Sequence, residues 1–190
     1  VSALSIVILP KGTIFLCDTH VTPYPTAEEL VEMTELSVEQ MRRFGITPKV
    51  ALLSHSAFGS GNTPDVAKPR EAVRILRERN PDLEVEGEMT ADAALNEKIR
   101  QRIFPNSRLT GTANLLVMPT LDASNIAFNM LKVLGDGLPV GPIMVGAAKP
   151  VHVLTPSVTA RGIVNMSAVA VIGAQRQEAE GPDAVSKPLL

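Results

Sequence analysis

Val50-Ala51-Leu52-Leu53 runs directly into Ser54-His55-Ser56-Ala57-Phe58-Gly59-Ser60-Gly61-Asn62. Consecutive apolar residues without alternation read as a buried strand, and the small polar residues after them read as a loop. A helical pattern follows from about Val66 to Asn80, and then a second short strand, Leu83 to Val85. Strand, loop, helix and strand in that order argue for parallel strands in one sheet.

The same alternation extends both ways from this unit. Toward the N-terminus, Leu4 to Leu9 and Thr13 to Cys17 read as strands joined at the turn Pro10-Lys11-Gly12. Thr26-Ala27-Glu28-Glu29 matches a capping box, in which Thr26 accepts from a first-turn amide while Glu29 reaches back. Leu30, Met33, Ser37, Met41 and Phe44 then fall at helical spacing until Gly45. Toward the C-terminus the pattern predicts a helix over about Ala91 to Arg102, a strand at Asn114 to Met118, and a helix over about Ala123 to Leu134. Strands at Val140 to Val145 and Val151 to Leu154 and a last helix from Arg161 to Gln175 complete it. The fold class is α/β: a mostly parallel sheet covered on both faces, hence three layers, α/β/α. From Arg176 the periodicity is lost, so residues 1–175 are expected to form the folded unit and 176–190 a disordered tail.

Composition excludes several classes of function. Of 190 residues, 45% are hydrophobic and 20% charged, which suits a folded domain, and only 3% are aromatic, so the core must rest on aliphatic side chains. A net charge of −2 without a long basic run gives no general attraction for nucleic acid. No apolar run approaches the roughly 18 residues of a membrane span. The single cysteine, Cys17, excludes an internal disulfide and suits the cytoplasm; set within Ile14-Phe15-Leu16, it reads as a structural thiol. The chain starts inside an apolar segment without Met or a signal peptide, as a piece of a longer polypeptide would.

Open α/β sheets bind ligands beyond the carboxyl ends of their strands, and three such ends carry small polar residues. Ser54-His55-Ser56 leads into glycines whose amides can face phosphate oxygens, although no Walker-type lysine follows. Pro119-Thr120-Leu121-Asp122-Ala123-Ser124-Asn125 offers Asp122 or Ser124 as a helix cap and Asn125 as a ligand contact. Leu154-Thr155-Pro156-Ser157 precedes the last helix. Glu84 and Glu86 alternate with Val85 as a solvated strand face would; Glu88 lies close by, and Asp92 suits a cap or a ligand. Arg70, Arg74 and Arg77 form a stripe that suits the phosphates of a ligand or, with Glu71 and Glu78 interleaved, a solvated salt-bridged face. His20, His55 and His152 are too scattered for a metal site.

Several of these segments also resemble motifs of the phosphotransacetylases. Leu53 to Ser60 resembles that family's Ser-Tyr/Phe-Ser-x-x-Gly-Ser loop, and Glu86-Gly87-Glu88-Met89 with Asp92-Ala93-Ala94 is similar to its Gly-Glu-Leu-x-x-Asp-Ala-Ala block. Gly111 to Pro119, followed by Asn125-Ile126, is similar to its Ala-Asn-x-Leu-x-x-Pro…Gly-Asn-Ile signature. The stretch from Gly141-Pro142-Ile143-Met144-Val145-Gly146 through Lys149-Pro150-Val151-His152 to Arg161-Gly162-Ile163-Val164-Asn165 resembles its closing segment. Within the family, Leu154 to Asn165 most resembles the C-terminal domain of bacterial NADP-dependent malic enzymes.

The resemblance implies an isocitrate/isopropylmalate dehydrogenase-like fold, with residues 1–175 forming the second lobe plus the last helix of the first. It implies acetyl-CoA or CoA as ligand, with Ser54, Ser56, Asn125, Thr155, Ser157 and Arg161 as its contacts. NADP and a divalent metal would belong to preceding malic-enzyme domains, the domain's own partners, and none to this one. A homo-oligomer and inhibition communicated by acetyl-CoA are implied too. Where the family has Ser-Arg this chain has Thr155-Pro156, and where it has an Asp six residues later this chain has Gly162. Acetyl transfer to phosphate needs a cation at the carbonyl oxygen and a base for the thiol, so binding without turnover is expected. The alternatives are an active phosphate acetyltransferase and a purely oligomer-forming domain.

Overall fold

The computed structural model describes residues 1–156 and 158–180. Its elements are β1 (Ser2–Leu9), β2 (Gly12–Cys17), α1 (Ala27–Arg43), β3 (Lys49–Leu53), α2 (Pro64–Arg79), β4 (Glu84–Met89), α3 (Ala91–Leu95), α4 (Glu97–Ile103), β5 (Leu115–Val117), α5 (Leu121–Leu134), β6 (Leu138–Val145) and α6 (Ala160–Glu180). The six strands form one sheet in the order β4-β3-β5-β2-β1-β6. Pairs β4/β3, β3/β5 and β5/β2 are parallel, while β1 pairs antiparallel with both β2 and β6. The expected mostly parallel α/β/α architecture is the one observed.

Local chemistry accounts for the elements that sequence placed well. Thr26 and Glu29 form the reciprocal capping box of α1. The same helix ends in a Schellman turn, with Gly45 at φ +74° and bonds from Gly45 N to Arg42 O and from Ile46 N to Met41 O. One face of the sheet packs Met33, Val38 and Met41 of α1, Val73 and Leu76 of α2 and Met166 of α6 against Leu4, Val50, Leu115 and Ile143. The other packs Ala93, Ala94 and Phe128 against Val7, Leu16, Ala51 and Leu116. At Gly87, φ is +147°, and an added Cβ would stand 2.6 Å from the Leu52 carbonyl, so β3 and β4 approach only because no side chain intervenes there.

Several boundaries differ from expectation, and the strand expected at Leu83 to Val85 runs on to Met89 as β4. The helix expected over Ala91 to Arg102 breaks at Asn96, whose side chain accepts from Lys98 N and Ile99 N and so starts α4 afresh. Val151 to Leu154 is not a strand; it makes one isolated bridge, His152 to Ile143. The last helix runs on to Glu180, so the tail expected from Arg176 is helical at its start, and residues 181–190 lie outside the described residues.

Candidate functional site

Parallel strands bring the carboxyl ends of β3, β5 and β2 to one edge of the sheet, and β6, antiparallel to β1, ends there too. Along that edge lie the loop after β3, the junction before α5, residues 18–22 after β2, and the segment between β6 and α6. β3 and β6 are four strands apart, about 19 Å at the usual spacing of ~4.8 Å. The three predicted segments therefore share an edge and not a single pocket. Only an elongated ligand would touch all of them.

The loop after β3 is held from within. Ser54 N bonds to Met89 O (2.9 Å) and Phe58 N to Glu88 O (2.8 Å). The Glu88 carboxylate, 1% exposed, accepts from Ser56 Oγ (3.0 Å), Gly59 N (2.8 Å) and the Arg70 guanidinium (3.0 and 3.1 Å). Arg70 Nη2 also donates to Gly61 O at 2.9 Å. Phe58, at φ +49°, stacks on Phe104 with ring centroids 4.5 Å apart. Burial works to raise the Glu88 carboxyl, but the Arg70 guanidinium and the Gly59 amide outweigh it and hold it below the ordinary carboxylate range.

This geometry revises several expectations. The Gly59 amide, expected to face a ligand anion, already binds Glu88. Ser56 is buried, and its hydroxyl is committed to Glu88 and Ser60. Ser54 is half-buried, with its Oγ accepting from Ser56 N, and His55 is exposed. Glu86 is no part of a solvated face: at 1% exposure it pairs with Arg77 and accepts from Arg108 N. Of the arginine stripe, only Arg74 sits in the exposed pairs expected, with Glu71 and Glu78, whereas Arg70 and Arg77 reach inward to buried carboxylates. Glu84, half-buried, accepts from Thr110 N and Oγ1. Asp92 accepts from Thr90 Oγ1 and Ala93 N in the first turn of α3.

At α5 the cap is Thr120, which accepts from Ala123 N; neither Asp122 nor Ser124 fills that role. Ser124 is fully buried and its Oγ has no partner among the described residues. Asn125 is exposed, but because α5 starts at Leu121 it opens the second turn and not the first, its Oδ1 accepting from Asn129. Thr155, Pro156 and Arg161 are exposed, and Gly162 lies in the first turn of α6 with its amide donating to Thr159 Oγ1. Ser157 lies outside the described residues.

Sequence reasoning missed the turn after β2. Asp18, 3% exposed, accepts from the amides of Ala3, His20, Val21 and Thr22. Thr19 Oγ1 lies 2.7 Å from Ser5 Oγ and 2.8 Å from His20 Nδ1, which places the exposed His20 ring on the same carboxyl edge of the sheet. The signal was an Asp-Thr-His run directly behind an apolar strand. A cavity of about 310 Å³ opens at the opposite, amino edge, between Arg42, Thr47, Asp82 and Glu84, and includes none of these segments. Among the described residues no group of three His, Cys, Asp or Glu side chains could hold a metal, and no helix is long and apolar enough to cross a membrane.

The chain is 52% identical over 171 residues to an NAD-dependent malic enzyme of Rhizobium meliloti, covering 90% of this chain and 22% of that protein. It is 52% identical over 176 residues to an NADP-dependent malic enzyme of Escherichia coli, with 92% and 23% coverage. A phosphate acetyltransferase of Clostridium acetobutylicum is 34% identical, with 93% and 55% coverage. The chain thus spans less than a quarter of the malic enzymes and about half of that acetyltransferase. Among solved structures, a phosphotransacetylase from Streptococcus pyogenes superimposes with a TM-score of 0.88 at 33% identity, over 93% of this chain and 54% of that one. The sequence profile of the phosphate acetyl/butaryl transferases matches residues 1–171, and the chain belongs to that family.

Proposed function

We propose that this chain is the acyl-CoA-sensing, phosphotransacetylase-like domain of a malic enzyme, binding acetyl-CoA as an allosteric effector without transferring its acetyl group. The carrying observation is a contrast along one edge. The scaffold behind the ligand segments is intact, from Asp18 after β2 to Glu88 behind the β3 loop. The segment that should supply charge to the reaction, residues 155–162, holds Pro156 and Gly162 and a single charged residue, Arg161. Hydroxyls and amides at Ser54, Asn125 and Thr155 suit the neutral amides and carbonyls of pantetheine, and Arg161 suits a coenzyme phosphate. A guanidinium is always protonated and cannot take the thiol proton. Residues 155–162 therefore fit binding and supply no base for turnover.

In this reading malate oxidation and decarboxylation, the nicotinamide coenzyme and the divalent metal belong to other domains of the same polypeptide. Equal identity to relatives named for NAD and for NADP supports a segment that does not set nicotinamide preference. A ligand that prefers one assembly state shifts the whole protein toward it. An assembly role has its own support: Ile126, Met130, Val133 and Leu134 of α5 are 53–77% exposed at spacings of four, three and one, an apolar stripe that a second subunit would cover.

Calorimetric titration with acetyl-CoA, with CoA for comparison and with phosphate-dependent acetyl-CoA consumption assayed in parallel, tests the proposal. Saturable binding that favours the acetylated form, without consumption, is the expected result. Consumption would make the chain a phosphate acetyltransferase, and absence of binding would leave an oligomer-forming domain.

A further inference from the structure

The Ser54–Gly61 loop closes around an anion that the chain itself supplies. A serine hydroxyl (Ser56), a glycine amide (Gly59) and a guanidinium (Arg70) converge on Glu88 Oε1 at 3.0, 2.8 and 3.1 Å. That is the donor set of a phosphate seat, and a carboxylate with 1% exposure fills it. Arg70 completes the ring by donating to Gly61 O, so the guanidinium ties the far end of the loop to the same carboxylate. Two of the segments read separately in the sequence, Leu53 to Ser60 and Glu86 to Met89, are the two halves of this one construction.

We infer that Glu88 is the positioning residue of the ligand loop: an internal anion that sets Ser54 and His55 at the sheet edge and closes the loop to phosphate. An acyl-CoA would then meet the loop with its uncharged pantetheine portion, and its phosphates would lie elsewhere along the edge. The assignment of ligand rests on the function proposed above; the closure of the loop to phosphate does not. Glu86 is the built-in comparison. It is equally buried and paired with an arginine of the same helix, Arg77, but its other contacts are the amides of Gly87 and Arg108, away from the loop.

The test uses the intact protein with E88Q, E88A and E86Q, and three readouts. In E88Q and E88A, hydrogen exchange at the Gly59 amide should rise about tenfold or more, and in E86Q it should not change. Inorganic phosphate should raise the Tm of E88A saturably by entering the vacated seat, and leave wild type and E86Q unmoved. The Kd for acetyl-CoA should rise about tenfold in E88Q and hold in E86Q. Unchanged exchange in E88Q, or phosphate stabilising wild type as well as E88A, would overturn the assignment. If E88A fails to fold, E88Q exchange alone decides. If wild type binds no acyl-CoA, the proposed function fails, while exchange and phosphate still judge the role of Glu88.

Discussion

Arg100 Nη2 donates to the Gly111 carbonyl at 2.6 Å, although the Arg100 side chain is essentially sealed from solvent. The same guanidinium also reaches the carbonyls of Leu109, Ala93 and Ala94, and so joins α3, α4 and the chain leading into β5. Its charge partner, Glu97, stands 3.9 Å away and itself accepts from Gly111 N. R100M strips these carbonyls of their donor and should destabilise the domain by about 3–5 kcal/mol in urea unfolding. R100K should recover little of this, because a point-like ammonium cannot span carbonyls that a planar fork reaches.

How much of this was legible divides along local and long-range lines. The β1–β2 turn, the Thr26–Glu29 box and the Gly45 stop depend on residues within a few positions of one another, and they were read correctly. The break at Asn96 was also local, but Ala91 to Arg102 keeps helical composition on both sides of it, and the cap shows only once the side chain is seen to turn back. Val151 to Leu154 has strand-like residues but, among the described residues, no strand partner beyond one bridge, and β-propensity does nothing without a neighbour to pack against. Burial of Glu86 and Glu88 was illegible because their arginines lie 9 and 18 residues earlier, on another element. Alternation said which residues share a face, and nothing said that the chain around Arg108 and Thr110 covers it.

Two arginines of α2 should respond oppositely to alanine. Among the described residues Arg74 pairs only with exposed Glu71 and Glu78, so R74A should leave Tm unchanged within error at moderate salt. R77A leaves the Glu86 carboxylate buried without its cation and should cost about 3 kcal/mol, the low end for a broken buried pair because Arg77 itself is 31% exposed. Equal effects of the two substitutions in urea unfolding would refute the distinction.

Cys17 is fully buried, and burial pushes its thiol up to about 12, with Ser2 Oγ 3.3 Å from the sulfur. Only the thiolate reacts. At pH 8 a disulfide reagent should therefore leave the native protein unlabelled over hours and label one thiol per chain in denaturant. Rapid native labelling would show that β2 opens readily.

His152 accepts from Met144 N at 3.2 Å through Nδ1, and its Nε2 has no partner among the described residues. Burial holds the imidazole below the ordinary histidine value. A depressed value means that the folded state prefers the neutral ring, so its stabilisation is complete above about pH 6.5 and is lost as pH falls through the lower folded value. Tm should decline on acidification from about pH 6.5 toward pH 5, and H152Q, which keeps an acceptor but does not titrate there, should flatten that decline.

Pro156 and Gly162 can be tested by restoring charge. An added Cβ at Gly162 would meet Val158 Cγ2 at 2.8 Å and Thr159 Oγ1 at 3.4 Å, and the closer of these is the movable end of a side chain. The site lies in the first turn of α6, where replacing glycine favours the helix and a carboxylate suits its amino end. G162D should therefore fold with its Tm held or raised. P156R adds a cation and removes a ring from an exposed position, so it too should fold. If lost charge is what separates binding from transfer, P156R/G162D should consume acetyl-CoA with phosphate measurably faster than the parent, and each single variant should not. Two groups that act as one catalytic unit are strongly non-additive, so a gain confined to the double variant identifies the missing pair. Equal inactivity of all three folded variants would place the block to transfer elsewhere in the chain.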